Sequence, residues 1–192
     1  MDEPLIKIRH DRSKKDFPGL KLEDDEYVEF AFQRAKICLA LIWGCVLAGF
    51  AVILFTFLIV LMGQTTLDAM GTNFLFIILV ALLAVVLIGG AIASMIYHGN
   101  KLFITNKHVI QMTMNSPISN SVNVIDLSSV EDASFRQDSL LEKIFSYGTL
   151  RLATVGDETT YTFKYAKVNG DELSAIIKLI SEAKKENGKK KD

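Results

Sequence analysis

Two stretches of this chain carry no charged side chain, and they constrain its fold more than any other feature. The first runs from residue 37 to 64 and the second from 69 to 100, with Asp68 the single charge between them. Their cores, 37–62 and 73–97, would each span roughly 40 Å at about 1.5 Å per helical residue. A bilayer's hydrocarbon core is about 30 Å thick and needs about 20 apolar residues. Each run can therefore cross, with tilt or some interfacial overhang. Uncharged helices of this length are rare in soluble cores. The expected organisation is a transmembrane helix at 37–62, a short extracytoplasmic connector at 63–72 and a second transmembrane helix at 73–97. Half of the residues are hydrophobic while 22% are charged. That average conceals a greasy segment set between polar ones.

The first run does not read as a cleaved signal. It follows 36 mostly polar residues with nine acidic side chains, and it exceeds the roughly 7–15 residues of a signal's apolar region. A lipoprotein-type cleavage site at Cys45 would need a small residue where Trp43 stands. Lys and Arg number eight in 1–36 and thirteen in 101–192, with none in 63–72. Positive charge near membrane ends favours the cytoplasmic side. Arg34 and Lys36 flank the first span, and Lys101 and Lys107 follow the second. The expected arrangement is a multi-pass protein of a bacterial cytoplasmic (inner) membrane, with both termini cytoplasmic.

Neither span holds Asp, Glu, Lys, Arg or Pro. Transport routes place ionisable residues or broken helices at the membrane midplane, so a channel or transporter is disfavoured. His98 falls at the cytoplasmic edge. Small residues recur at helical spacing: Ala40, Gly44 and Ala48 on the first span, and Gly89 with Ala93 and Gly90 with Ser94 on the second. Such rows let helix backbones approach closely, either within the pair or between copies. Cys38 and Cys45 share a helix face and read as packing residues, since two thiols alone complete no metal site.

Residues 1–36 read as a cytoplasmic polar lead-in. Residues 11–18 look irregular. Residues 20–36 are expected to become helical and run into the first span, with Tyr27, Phe30 and Phe32 as interfacial aromatics. The cluster Glu23-Asp24-Asp25-Glu26 reads as a solvated helix face, because four adjacent carboxylates on a helix diverge.

Beyond residue 101 the pattern alternates, as half-buried strands do. Leu102 and Ile104, then Val109, mark two strands around a Thr105-Asn106-Lys107 turn. Val122, Val124 and Leu127 mark a third strand and residues 130–136 a fourth. Tyr147-Gly148 leads into a strand over 149–155, and Gly156-Asp157-Glu158 reads as a hairpin connection to Tyr161, Phe163 and Tyr165. The period then changes. Asn169 and Glu172 are spaced as a capping box, and Leu173, Ile176, Ile177 and Ile180 form one apolar helix face. Strands followed by a terminal helix argue for an α+β domain over 101–183.

Three segments resemble the bacterial pleckstrin-homology-like (PH-like) family. They are Leu102-Phe103-Ile104-Thr105-Asn106-Lys107-His108-Val109-Ile110, then Asp126-Leu127-Ser128-Ser129-Val130, then the run from Ser139 through Tyr147-Gly148-Thr149 to Leu150. With the terminal helix, the resemblance covers roughly residues 73–182. Members often carry two membrane helices before the domain. The resemblance implies a split antiparallel β-barrel capped by the C-terminal α-helix, and it carries no catalytic mechanism. His108 stands where Arg is common in the family, which weakens the corner as a basic ligand site.

No chemistry-bearing motif emerges. His10, His98 and His108 fall in no metal spacing, no phosphate loop follows a strand, and no nucleophile elbow is present. No cofactor or metal is expected, and a net charge of -1 gives no reason to expect nucleic-acid binding. The tail 184–192 is Lys-rich, and Lys189, Lys190 and Lys191 can attract anionic lipid at about 1 kcal/mol each near the surface. The leading expectation is a membrane-anchored, non-catalytic adaptor or scaffold whose sheet edge or loops bind a protein, with self-assembly through the small-residue rows. The alternative is recognition of anionic lipid headgroups by Lys101, Lys107 and the Lys tail.

Overall fold

The computed structural model describes residues 3–63, 69–154 and 160–189. Asp68, the Gly156-Asp157-Glu158 connection, and Lys190 and Lys191 lie outside the described residues. The elements in chain order are α1 (Glu3–Asp16), β1 (Val28–Gln33), α2 (Lys36–Leu61), α3 (Ala69–Gly99), β2 (Lys101–Thr105), β3 (His108–Met114), β4 (Asn120–Asp126), a 3-10 turn (Leu127–Ser129), β5 (Val130–Arg136), α4 (Leu140–Ile144), β6 (Gly148–Thr154), β7 (Thr160–Ala166) and α5 (Gly170–Lys189). They divide into two compact units. One contains Lys36–Tyr97 with Ser116–Ile118, and the other contains the remaining described residues.

In the helical unit, α2 and α3 are long and apolar enough to cross a membrane. Only 11% and 6% of their most apolar stretches is buried, whereas a soluble core helix would be mostly covered. α3 starts at Ala69, which makes the connector shorter than 63–72. The two helices meet through other small residues than the row on the first span. A Cβ on Gly90 would lie 2.6 Å from Val46 Cγ2, and one on Gly49 would lie 3.4 Å from Val86. The Phe57 and Phe76 rings pack at 5.7 Å. Gly89 and Ala93 line an apolar groove with Cys45 and Val46. Ala40, Gly44 and Ala48 are exposed, and nothing lies within 4 Å of a Cβ built on Gly44. That row is therefore not the face on which the helices pack against each other.

The second unit holds a four-stranded antiparallel sheet, β1-β2-β3-β4, and a three-stranded one, β5-β6-β7. An isolated bridge between Arg34 and Ala166 joins them at one corner. The sheets do not close into a barrel. Their inner faces bury Leu102, Ile104, Val109, Leu150, Leu152 and Phe163, and α5 adds Ile176 and Ile180. Ile177, grouped with that stripe by spacing, is exposed. The capping expectation is met in part: Asn169 N–H donates to Glu172 Oε2 at 2.9 Å.

The N-terminal region departs most from the sequence reading. Residues 3–16 form α1, and Pro18 follows two residues after its end, where helices stop readily. Residues 28–33 form a strand rather than a helix. β1 pairs with β2 from Val28↔Thr105 to Gln33↔Lys101. Phe32 is a core residue, not an interfacial one. Phe17, Leu20, Leu22 and Val28 cover Phe103 and Ile110 on the sheet's other face, with the Phe17 and Phe103 rings edge-on at 5.1 Å. The described lead-in, residues 3–35, is thus part of the folded domain, because strand pairing satisfies β1's backbone as well as a helix would. The domain expected at 101–183 also gains residues at its C-terminal end, since α5 continues to Lys189 through most of the expected tail.

Candidate functional site

The β2–β3 turn is held from below by a buried carboxylate. Glu26 is 1% exposed. Its Oε1 accepts from Thr105 Oγ1 at 2.6 Å and from His108 Nδ1 at 3.0 Å, and its Oε2 accepts from Glu23 N–H at 2.9 Å. Thr105 Oγ1 in turn accepts from His108 N–H at 2.7 Å. Burial pushes the Glu26 carboxyl up. The hydrogen bonds from Thr105, Glu23 and His108, with the charge of His108, outweigh it and hold the group below the usual carboxylate range. Asn106 completes the strap. Tyr27 N–H donates to its Oδ1 at 3.0 Å, and its Nδ2 donates to the Asp25 carbonyl at 3.1 Å. The four acidic residues are therefore no solvated helix face: one of them is the buried anchor of a turn.

Beside this turn lies a polar cleft of about 410 Å³, lined by Glu23, Asn106, Lys107, His108, Asp126, Ser128, Ala183 and Asn187. Lys107 is committed within it. Its Nζ donates to the Asp24 carbonyl at 2.8 Å and sits 3.7 Å from Glu23 Oε2. Lys101 stands at the other end of β2, next to Gln33 and Met112. Four strand steps of about 3.3 Å, from Lys101 to Thr105, put roughly 13 Å between Lys101 and the start of the turn that holds Lys107. The fold does not bring them together as one headgroup site. Lys189 ends α5.

The family motif Tyr147-Gly148-Thr149 forms a clasp. Gly148 pairs with Ala166, which bridges Arg34. A Cβ on Gly148 would lie 2.4 Å from the Arg136 carbonyl oxygen and 2.8 Å from the Phe135 ring, so only glycine fits there. Thr149 continues the ladder opposite Arg136 and Lys164. Tyr165, at φ 63°, is bulged out of that ladder. Its carbonyl accepts from Ala35 N–H at 2.7 Å. Its ring packs on Tyr147 at 5.9 Å, and the Arg34 guanidinium lies 5.9 Å from the same ring. The motif thus secures the point at which the chain leaves the domain for α2.

Sequence reasoning expected a sheet edge as a binding surface without saying which strand supplies it, and the structure leaves β4 as such an edge. β4 borders the four-stranded sheet and is exposed along almost all its length. Asn115 N–H donates to the Ser119 carbonyl, and Leu127 N–H donates to the Lys107 carbonyl. Both bonds lie in the β3–β4 register, and bonded pairs alternate in an antiparallel ladder. The pairs 113/121, 111/123 and 109/125 are therefore the bonded ones. The N–H and C=O groups of Asn120, Val122 and Val124 point outward, while Asp126 caps the 3-10 turn that follows. Edge strands are usually blunted by Lys, Pro or a bulge, and β4 has none of these.

No curated protein matches the chain. A solved structure, a DUF1696 family protein with a pleckstrin-homology domain from Shewanella loihica PV-4, is similar at 14% identity. The likeness covers 44% of this chain and 70% of that one, with a TM-score of 0.33. The bacterial PH domain family model matches residues 35–184, and the chain belongs to that family.

Proposed function

We propose that this protein is a membrane-anchored adaptor whose PH-like domain takes up a protein partner along β4 at the cytoplasmic face of a bacterial inner membrane. The carrying observation is the unprotected edge: three residues, Asn120, Val122 and Val124, with outward backbone groups and no charge, proline or bulge along 120–125. Strand addition uses such groups for affinity and the flanking side chains, here Val122 and Val124, for selectivity. The pairing of Gln33 with Lys101 supports the anchor. It sets both ends of the 36–99 segment side by side, as an even number of crossings requires. The Lys and Arg distribution supports the cytoplasmic side. The exposed row Ala40, Gly44 and Ala48 supports self-association.

Anionic headgroup recognition is the weaker reading. The cleft that holds Lys107 also presents Glu23 and Asp126, and Lys101 is remote from it. No catalytic step belongs to this proposal.

Val122→Pro tests it. The Val122 N–H points outward, so proline there spares the β3–β4 ladder and blocks an added strand. Purification of the full chain in mild detergent should recover partner proteins with the parent at least tenfold better than with Val122→Pro, at an unchanged thermal midpoint. Equal recovery would count against strand addition. Loss of co-purifying anionic lipid on Lys107→Ala would favour the headgroup reading instead.

A further inference from the structure

α4 folds without hiding its apolar side chains. Ser139 caps it, and the Glu142 carboxylate turns back to accept from the Ser139 and Asp138 N–H groups. Gln137 Nε2 donates to the carbonyls of Glu142 and Tyr147. The helix's one carboxylate is therefore spent on its own N-terminus. Leu140, Leu141, Ile144 and the C-cap Phe145 are between 47% and 75% exposed, and no residue of α4 is buried. A contiguous apolar patch of this kind on a folded domain marks an interaction surface.

Its place in the fold selects the occupant. Phe145 precedes Tyr147 by two residues, a reach of at most about 7 Å. The Tyr147 ring packs on Tyr165, and Tyr165 holds both Arg34 and Ala35. The next residue, Lys36, begins α2. The patch thus sits on the rim from which the chain departs into its charge-free run. A surface tethered there meets a bilayer before it meets any diffusing partner. Lys143, the basic residue of α4, suits anionic headgroups.

We propose that α4 is an interfacial anchor: Leu140, Leu141, Ile144 and Phe145 enter the headgroup–acyl boundary of the bilayer that 36–99 crosses. This rests on the membrane reading of α2 and α3. Insertion to a depth of roughly 5–10 Å is typical of amphipathic segments lying in the interface. Such contact would hold one rim of the domain on lipid.

The test uses the full chain in proteoliposomes containing anionic lipid, with Cys38→Ser and Cys45→Ser and one nitroxide label at a time. Labels at Leu141→Cys, Ile144→Cys, Leu54→Cys and Glu182→Cys are compared for relaxation by oxygen and by a water-soluble nickel chelate. The expected result is an oxygen preference at 54, a smaller one at 141 and 144, and nickel preference at 182. Nickel preference at 141 and 144 with oxygen preference at 54 would overturn the α4 proposal and leave the anchor standing. Labels at 141 and 144 shielded from both reagents would mean that protein covers the patch, which also overturns it. Nickel preference at 54 would overturn the membrane reading itself.

Discussion

α5 and α4 belong to one domain and treat their apolar residues in opposite ways. α5 turns Ile176 and Ile180 into the core between the sheets, with Leu173 packed against it. α4 carries four large apolar side chains, counting its C-cap, and buries none of them. Burying one such side chain stabilises by about 1.5–3 kcal/mol. α5 gains this within the chain, while α4 can gain it only from something outside. The same residue types thus stabilise the fold in one helix and form a surface in the other. Their position relative to the sheets decides which.

The sharpest way to break this contrast is Ile176→Ala. Ile176 is fully buried, so truncation should destabilise the domain by about 2–5 kcal/mol. Thermal unfolding of the full chain in detergent should show a midpoint lower by several degrees. An unchanged midpoint would mean that α5 is not core.

Burial also separates like from like among the carboxylates. Glu26 is buried and three-fold bonded, while Glu23 lines an open cleft. Glu26→Gln should cost about 1–3 kcal/mol at neutral pH. The pH dependence has a definite sign. The folded-state pKa lies below the unfolded value of about 4.3, so the ionised form contributes stability above that value. The contribution is lost as pH falls through the folded-state pKa. Midpoints of parent and Glu26→Gln, measured from neutral to acid pH, should therefore converge in acid. A gap that widens on acidification would contradict the lowered pKa.

The smallest expected effect is on α4. Ile144→Ser removes an exposed apolar group and should change domain stability in detergent by less than about 0.5 kcal/mol. A loss comparable with that of Ile176→Ala would show that α4 supports the fold after all.

Spans and strands were legible because their signals are local. A charge-free run and a period-two or period-3.6 pattern can be read within a dozen residues. β1 carries the same alternation, with Phe30 and Phe32 on one face. Beside a charge-free run, that aromatic spacing also fits an approach to the membrane. Its strand partner lies about seventy residues further on, across the whole of α2 and α3. Glu26 was harder still. Nothing local separates it from Asp24 or Asp25, and its partners Thr105 and His108 stand 79 and 82 positions away. Lys101 and Lys107 looked like neighbours because they are close in sequence. A straight strand holds them apart.

Two membrane-length helices, a run of short strands and a capped terminal helix with an apolar stripe were determined by the sequence alone, since each depends on the order of neighbouring side chains. Only the tertiary structure decided that the N-terminal segment closes the sheet, that one carboxylate of four is buried, that β4 is left as a bare edge and that α4 faces outward. Each of these depends on which distant segments meet. Loop closure over tens of residues sets an entropic cost that changes only slowly with length, so local pattern carries almost no information about the partner.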